Sequence, residues 1–237
     1  MIYAVSDLHG CFKSWLALLE KLRFSDDDLL YVVGDVVDRG PQSMALLLDL
    51  SQRFNVIPIA GNHDLAAAHC LSFLSEEVTD ASIEKLEQGS SFSNLMMWLN
   101  DGGRATMEDF RKLDRESREI VLDYFQEFSL YEEAEVGGVS YVLAHAGVDN
   151  FSPERPLEDY PPDAFSFARS DYDRCYFPDR FLITGHTPTR LISGAKPDFI
   201  CRRNNHIAID CGCVYGGQLG AFCLDNGQTF YVANLDH

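Results

Sequence analysis

Residues 29–40 read Leu-Leu-Tyr-Val-Val-Gly-Asp-Val-Val-Asp-Arg-Gly, an apolar run that ends in charged residues enclosed by two glycines. The apolar part predicts a buried strand. Average residue usage makes the pattern Gly-Asp-x-x-Asp-Arg-Gly a chance event on the order of 10⁻⁴ in a chain of this length. A solvated charged turn would not need two glycines around two aspartates and an arginine. We therefore interpret the stretch as a strand followed by a functional loop.

Similar apolar runs lie before and after this stretch. Residues 2–6 and 56–60 predict two more strands, and leucines at helical spacing around Leu18 and Leu47 predict the helices between them. The order strand, helix, strand, helix, strand implies parallel pairing. Loops at the carboxyl ends of parallel strands share one rim of the sheet, where ligands usually bind.

The rest of the chain predicts more helices and then β structure. Residues 132–136 and 139–144 predict a hairpin with its turn at Gly137-Gly138, and hence a second sheet. Residues 149–163, with their prolines, predict a long loop. Further helices are expected at 65–74, 92–99 and 115–128, with a connection at 87–91, and further strands at 181–184, 207–210, 219–224 and 229–233.

Composition limits the class of function. The net charge is −18, from 37 acidic and 19 basic residues, without a Lys/Arg cluster, so nucleic acids and anionic membranes are not expected as partners. No secretion signal or apolar run of about 20 residues is visible, which predicts a cytoplasmic protein. The seven cysteines are expected to be reduced thiols, with Cys211 and Cys213 as alternate residues of a strand. An enzyme with this charge would need bound cations and a few arginines to hold a phosphate.

Four other polar clusters follow apolar runs: Asp7-Leu-His9-Gly10, Gly61-Asn62-His63-Asp64, Ala144-His145-Ala-Gly147 and Gly185-His186-Thr187. Each cluster alone is more often a turn, a helix cap or a hydrogen-bonded histidine than a metal site. Together they offer carboxylate, imidazole and amide donors, which suit Mn²⁺, Fe or Zn²⁺ better than a thiolate-seeking metal.

The five clusters, in this order, resemble the motifs of the calcineurin-like metallophosphoesterases. Within that superfamily the chain is similar to the bacterial and bacteriophage Ser/Thr protein phosphatases and to the symmetrical dinucleoside tetraphosphatases. The resemblance spans residues 7–187. It implies an α/β fold, a two-sheet αββα sandwich with a dimetal site on loops at the sheet rim. We expect residues 1–237 to form a single catalytic domain of this type.

The resemblance also implies a set of ligands for two divalent ions, with Mn²⁺ expected and Fe or Zn²⁺ as alternatives. The first ion would be held by Asp7 and His9, Asp35 would bridge, and the second ion would be held by Asn62, His145 and His186. In such a site, a hydroxide that bridges the ions attacks the phosphorus in line with the leaving group.

Further roles follow from the same resemblance. His63 is the expected general acid, Asp38 the carboxylate that orients its ring, and Arg39 a phosphate clamp. Arg169 is the candidate for a second clamp; its rivals Arg174 and Arg180 are expected to be surface charges. Three histidines without motif context are expected to be structural: His69, His206 and His237.

Three functions remain open. The first is hydrolysis of phosphomonoesters, above all phosphoserine and phosphothreonine in proteins, and the second is cleavage of dinucleoside polyphosphates. Asp64 stands where most family protein phosphatases have glutamate, which favours the second function, whereas the intact Asp38 and the short chain favour the first. The third is a metal-binding interaction module without catalysis, which would normally have lost a ligand, the acid or a clamp.

Overall fold

The computed structural model describes residues 1–75 and 91–236 of the chain. Its strands are β1 (Ile2–Val5), β2 (Leu29–Val33), β3 (Val56–Ile59), β4 (Tyr131–Val136), β5 (Val139–Ala144), β6 (Phe181–Thr184), β7 (Cys201–Arg203), β8 (His206–Ala208), β9 (Gln218–Cys223) and β10 (Thr229–Ala233). Its α-helices are α1 (Phe12–Leu22), α2 (Ser43–Ser51), α3 (Asn62–Ser75), α4 (Ser91–Trp98), α5 (Arg104–Phe110), α6 (Arg115–Tyr124) and α7 (Asp163–Ser166).

The strands form two five-stranded sheets. The first has the order β10-β9-β1-β2-β3, with β1, β2 and β3 parallel and β9 antiparallel to β1. The second has the order β4-β5-β6-β8-β7, with β5, β6 and β8 parallel. The sequence left open the sheet to which 219–224 and 229–233 belong, and these strands complete the first sheet.

The side chains of β1 show how the layers are built. Tyr3 and Val5 pack with Trp15 of α1 in the core between the first sheet and its helices. Ala4 points the other way and packs with Leu143 of β5 between the two sheets. Burying a large apolar side chain contributes roughly 1.5–3 kcal/mol to the stability of the fold. Packing on both faces of the first sheet therefore stabilises the protein. The α/β two-sheet sandwich predicted from the sequence is therefore confirmed.

The layer that covers the outer face of the second sheet is thin. The outer face of the second sheet packs against Phe151, Tyr160 and Phe165. These residues belong to α7 and to the proline-containing segment 149–163, which holds a short 3-10 turn at Leu157–Asp159. The predicted loop therefore covers the second sheet with its own aromatic side chains.

The structure differs from the predicted elements in several places. Helix α3 begins at Asn62, three residues before the predicted start, so Asn62 and His63 lie on its first turn rather than on a loop. Helix α5 was not predicted, because Gly102-Gly103 interrupts the helical pattern directly before it. The short edge strand β7 was also missed, and most of the predicted connection 87–91 lies outside the described residues.

Cys211 and Cys213, which follow β8, were predicted as alternate residues of a strand, and this prediction was wrong. Cys213 lies in a 3-10 turn, Cys213–Tyr215, because Gly212 turns the chain with a φ of 67°. All seven cysteines are free thiols, as expected. In the described part of the chain, each helix is too short or too polar to cross a lipid bilayer.

Candidate metal centre

The polar clusters meet where parallel strands of both sheets end, three strands of the first sheet and two of the second. Asp7 follows β1, Asp35 follows β2, Asn62 follows β3, His145 follows β5 and His186 follows β6. They surround a cavity of about 510 Å³. The residues that line this catalytic cavity include Asp7, His9, Asp35, Arg39, Asn62, His63, Arg169 and His186. His145 and Asp38 are buried and contact the lining residues Asn62 and His63, respectively.

The backbone at this rim is strained. Asp7, His9, Asp35 and His186 have φ values of 52°, 42°, 54° and 65°, in the left-handed region that most residues avoid. Such a residue costs on the order of 1–3 kcal/mol and persists where the surrounding structure holds it. Here the loops are held to each other, as where the amide of His9 donates to the carbonyl of Asp35 at 2.9 Å.

Asp35 stands at the centre of the site. Its Oδ2 lies 3.6 Å from Nε2 of His9, and its Oδ1 lies 3.3 Å from Nε2 of His145. Two groups of potential ligand atoms therefore share this residue, His9-Asp35-His63 and Asp35-His145-His186, with all atoms of each group within 4.8 Å of one another. A carboxylate placed between two such groups is suited to bridging two cations.

The second group converges on one atom, Nε2 of His145. This atom lies 3.2 Å from Oδ1 of Asn62, 3.2 Å from Nδ1 of His186 and 3.3 Å from Oδ1 of Asp35. The other ring nitrogen of His145 is within 3.0 Å of the carbonyl of Val33, which fixes the ring. Four lone-pair donors thus face the same small volume.

The charges around His145 and Asp35 favour a cation in this group. Burial alone would lower the pKa of His145, but the charge of Asp35 and the hydrogen bond to it raise that pKa to about 10. Burial, together with the charge of His145, lowers the pKa of His186 to about 4. The donors therefore need one positive charge among them, carried by the His145 proton. A divalent cation fits the same place and would release that proton.

The first group is arranged for a ligand as well. Nδ1 of His9 donates to the carbonyl of Val37 at 2.8 Å, so Nε2 is the acceptor, and Nη1 of Arg39 lies 2.7 Å from it. Burial lowers the pKa of His9 to about 3, which keeps the ring in the neutral form that binds metals. Burial raises the pKa of Asp7 to about 7, although the amide of His186 donates to its carboxylate at 3.0 Å.

His63 belongs geometrically to this first group, but one of its nitrogens is already engaged. Nδ1 lies 2.8 Å from Oδ2 of Asp38. Nε2 is buried, has no hydrogen-bond partner among the described residues, and lies 3.6 Å from Oδ2 of Asp101. Burial alone would lower the pKa of His63, but the bond to Asp38 and the charge of Asp35 raise it. The ring is thus prepared to offer a proton from Nε2.

Asp38 is held by two residues that sequence reasoning missed. Nε1 of Trp98 donates to Oδ2 at 2.8 Å, and Oγ1 of Thr106 donates to Oδ1 at 2.7 Å. Asp38, Trp98 and Thr106 are all buried. Trp98 and Thr106 lie far along the chain in a region without motifs, so no local pattern connects them to the site.

Asp64 has a structural position beneath the metal loops. Its Oδ1 accepts hydrogen bonds from the amides of Val36 at 2.9 Å and Val37 at 3.3 Å, and its Oδ2 accepts one from Gly61 at 2.9 Å. The side chain is buried and does not line the catalytic cavity. Asp64 therefore fastens the second motif loop to the third, and it has no contact with the space for substrate.

Gly61 is required by the close approach of the same two loops. A Cβ atom at this position would overlap Oδ1 and the amide nitrogen of Asp35. Any larger residue would push the central carboxylate out of place. This explains why the third motif begins with glycine.

The arginines divide into two sets. Arg39, Arg169 and Arg190 line the catalytic cavity, and Arg190 was not singled out from the sequence. Arg174 packs over the ring of Phe151, and Arg180 pairs with Glu133, so neither reaches the cavity in this structure. Two more lining residues were also missed, Asp210 and Tyr215.

The histidines without motif context lie apart from the ligand groups. His206 is buried on β8, with Nε2 at 2.8 Å from Oγ1 of Thr184. His69 is exposed on α3. His237 lies outside the described residues.

Comparison with known proteins agrees with this geometry. The calcineurin-like phosphoesterase family matches residues 1–190 of the chain. The asymmetrical bis(5'-nucleosyl)-tetraphosphatase PrpE of Anoxybacillus flavithermus is 27% identical over 98% of this chain and 94% of its own length. Serine/threonine-protein phosphatase 2 of Salmonella typhimurium is 28% identical over 98% of this chain and 92% of its own length.

A solved structure has the same fold. The crystal structure of a protein described as a candidate diadenosine tetraphosphatase superposes with a TM-score of 0.68 at 19% identity, covering 100% of this chain and 94% of the other. Proteins of the matched family use a dimetal centre, and the two ligand groups around Asp35 are compatible with one. The chain belongs to the calcineurin-like phosphoesterases and is a metal-dependent phosphoesterase.

Proposed function

We propose that the protein is a Mn²⁺-dependent phosphomonoesterase that acts on phosphoserine and phosphothreonine in cytoplasmic proteins, with residues 1–237 as one catalytic domain. The donors present are carboxylate, amide and imidazole groups, which suit Mn²⁺, with Fe or Zn²⁺ as alternatives. One ion would be held by Asp7, His9 and Asp35, and the other by Asp35, Asn62, His145 and His186. When bound, the two ions would neutralise the phosphate and activate the attacking water.

The observation that carries this proposal is the free Nε2 of His63, with Asp38 at 2.8 Å from the opposite ring nitrogen. The alcohol that leaves a serine or threonine phosphate is strongly basic, so its release requires a proton. A phosphate leaving group, as in a phosphoanhydride, is far less basic and has little need of one. A buried histidine with a raised pKa is therefore most useful to a phosphomonoesterase.

The remaining groups bind and orient the phosphate. Arg39 and Arg169 line the cavity beside the ligand groups, and a guanidinium can donate two parallel hydrogen bonds to phosphate oxygens. Nη2 of Arg39 lies 3.3 Å from Oδ1 of Asp101, and its Nη1 lies 2.7 Å from Nε2 of His9. Arg39 would exchange this exposed carboxylate for the phosphate and so hold it against His63.

A second candidate is the hydrolysis of dinucleoside tetraphosphates. Arg190 adds a third guanidinium to the catalytic cavity, which could take a second phosphate. Relatives that match nearly the whole chain are named as tetraphosphatases. These two observations support the candidate, whereas the His63 and Asp38 pair supports the phosphomonoesterase.

The two candidates are separated by one assay of the Mn²⁺-loaded protein. Phosphoserine, phosphothreonine and phosphotyrosine peptides and diadenosine tetraphosphate would be compared by kcat/KM in the same buffer. We expect the phosphoserine and phosphothreonine peptides to be preferred over diadenosine tetraphosphate by at least about tenfold, a difference of about 1.4 kcal/mol in transition-state binding. The reverse preference would establish the tetraphosphatase.

The control is Asp35→Asn, which removes the shared ligand and should abolish every activity that belongs to this protein. Activity that survives in the variant would come from a contaminating phosphatase. A wild-type protein that binds Mn²⁺ and hydrolyses none of the substrates would identify a metal-binding module instead of an enzyme.

A further inference from the structure

A second cavity of about 410 Å³ adjoins the catalytic cavity. It lies between helices α3 and α4, and we call it the α3–α4 pocket. Its walls include Leu65, Ala66, Met97 and Phe167. It shares Asn62, His63 and Asp101 with the catalytic cavity, so the two spaces adjoin at these residues.

The position of His63 determines on which side the phosphate and the leaving group of the substrate lie. Arg39 and Arg169 line the catalytic cavity and do not line the α3–α4 pocket, so a phosphate held by them lies on the catalytic side of His63. The free Nε2 of His63 is the atom that would protonate the leaving oxygen. The part of the substrate attached to that oxygen therefore extends past His63 into the α3–α4 pocket.

The chemistry of the walls limits what can occupy the pocket. Met97 is 70% exposed and Phe167 is 55% exposed, which leaves a large apolar surface beside the site. The charged side chains of the lining are the carboxylates of Asp101 and Asp163, and its described residues include no lysine or arginine. The lining also holds two histidines, His63 and His69, but a second phosphate on the leaving side would meet the like charges of Asp101 and Asp163 without a lysine or arginine to pair with.

We propose that the α3–α4 pocket binds the leaving-group side of the substrate, and that this side is apolar and carries no phosphate of its own. In a phosphoprotein the occupant would be an apolar side chain next to the phosphorylated residue. This inference rests on the proposed function, because it takes His63 as the acid and the catalytic cavity as the phosphate site. It makes Met97 and Phe167 specificity-determining residues.

The test uses two aryl phosphates, phenyl phosphate and 2-naphthyl phosphate. Their leaving groups have similar basicity and differ by one apolar ring, so the ratio of their kcat/KM values reports on the pocket and not on metal loading. We expect the wild-type enzyme to prefer 2-naphthyl phosphate, and Phe167→Ala or Met97→Lys to reduce this preference by about fivefold. The strongly exposed position of Met97 makes Met97→Lys compatible with folding even where Phe167→Ala is not.

A matched control is Phe54→Lys. Phe54 is 81% exposed and precedes β3, at the opposite end of the sheet from the site, so the ratio should stay as in the wild type. A charged probe adds a second measurement: 4-carboxyphenyl phosphate should be a poorer substrate than phenyl phosphate, and Asp163→Asn should reduce the difference.

The outcomes separate the two proposals. If the enzyme hydrolyses both aryl phosphates but Met97→Lys and Phe167→Ala leave the ratio unchanged, the pocket assignment is overturned while the phosphomonoesterase stands. If the wild-type enzyme hydrolyses diadenosine tetraphosphate and neither aryl phosphates nor phosphopeptides, both proposals are overturned.

Discussion

Nδ1 of His63 lies 2.8 Å from Oδ2 of Asp38, and both side chains are buried. Because Trp98 and Thr106 also donate to this carboxylate, Asp38 has little freedom to turn away. The imidazole is therefore held in one orientation, with Nε2 directed to the space that the catalytic cavity shares with the α3–α4 pocket. This contact explains how the orientation of His63, in the third motif, depends on Asp38, in the second.

The first prediction concerns the leaving group. His63→Asn should reduce kcat/KM for phenyl phosphate by roughly 10²–10³-fold and for p-nitrophenyl phosphate by less than about tenfold, because only the more basic phenolate needs a proton. Steady-state kinetics at fixed Mn²⁺ would measure both. Equal losses on the two substrates would contradict the role of His63 as the acid.

His63 is also close enough to be a metal ligand, so the same variant needs a metal analysis. As an acid, His63 can be replaced without loss of bound Mn²⁺, and the variant should keep the metal content of the wild type. A fall by one equivalent would instead assign His63 to the first ion.

A second prediction follows from the position of Asp35 between the two ligand groups. Asp35→Asn should lose both ions together, because each group depends on one oxygen of this carboxylate. Metal content after gel filtration and the rise in melting temperature on adding Mn²⁺ would both report the loss. A variant that retains one full equivalent would contradict the bridging assignment, and Asp26→Asn, at an exposed position, is the matched control.

The third prediction concerns the residue that distinguishes the motif from that of most family protein phosphatases. Asp64→Glu inserts a methylene at a buried position and should destabilise the protein by about 1–3 kcal/mol in urea denaturation. The ratio of kcat/KM for phosphopeptide and diadenosine tetraphosphate should stay within about twofold, since Asp64 does not face the substrate. Asp101→Glu, which alters both cavities, should shift that ratio and serves as the comparison.

The fourth prediction is a pH dependence of stability from His206. Burial lowers the pKa of His206 to about 4, below the unfolded value near 6.5, so the folded state resists protonation. The contribution of neutral His206 to the free energy of unfolding is complete above pH 6.5. It is lost as the pH falls from 6.5 towards 4, by roughly 2 kcal/mol between pH 6.5 and 5.

His206→Gln should flatten this dependence. Urea denaturation of the metal-free protein at pH 7 and pH 5 would compare the two chains, with chelator present so that metal release does not contribute. If wild type and variant lose the same stability over this interval, His206 titrates normally in the folded protein.

The sequence predicts the motif loops well, because each consists of neighbouring residues at the end of an apolar strand. Asp7, Asp35 and Asn62 meet because the parallel strands β1, β2 and β3 end at one rim. His145 and His186 follow the parallel strands β5 and β6 of the second sheet. Local pattern was sufficient for this part of the site and for the first three strands.

Other parts depend on contacts between distant segments. Trp98 and Thr106 reach Asp38 across 60 and 68 residues, and no spacing within the sequence marks them. Asp64 looked like a substrate determinant in its motif, yet its three amide donors show that it fastens one loop to another. The backbone strain at the rim was equally hidden, because contacts between distant loops, such as that of His9 with Asp35, hold the positive φ values.

The order of strands in the first sheet has a consequence for biosynthesis. β1 pairs with β2 on one side and with β9 on the other, although more than 200 residues separate β1 from β9 in the chain. On the ribosome, β1 and the loop with Asp7 and His9 emerge long before β9, so β1 keeps an open edge until residues 218–223 have left the exit tunnel. A nascent chain must therefore protect this edge while the residues between β1 and β9 are made, and a premature stop before β9 would release a product in which β1 is paired with β2 but open on its other side.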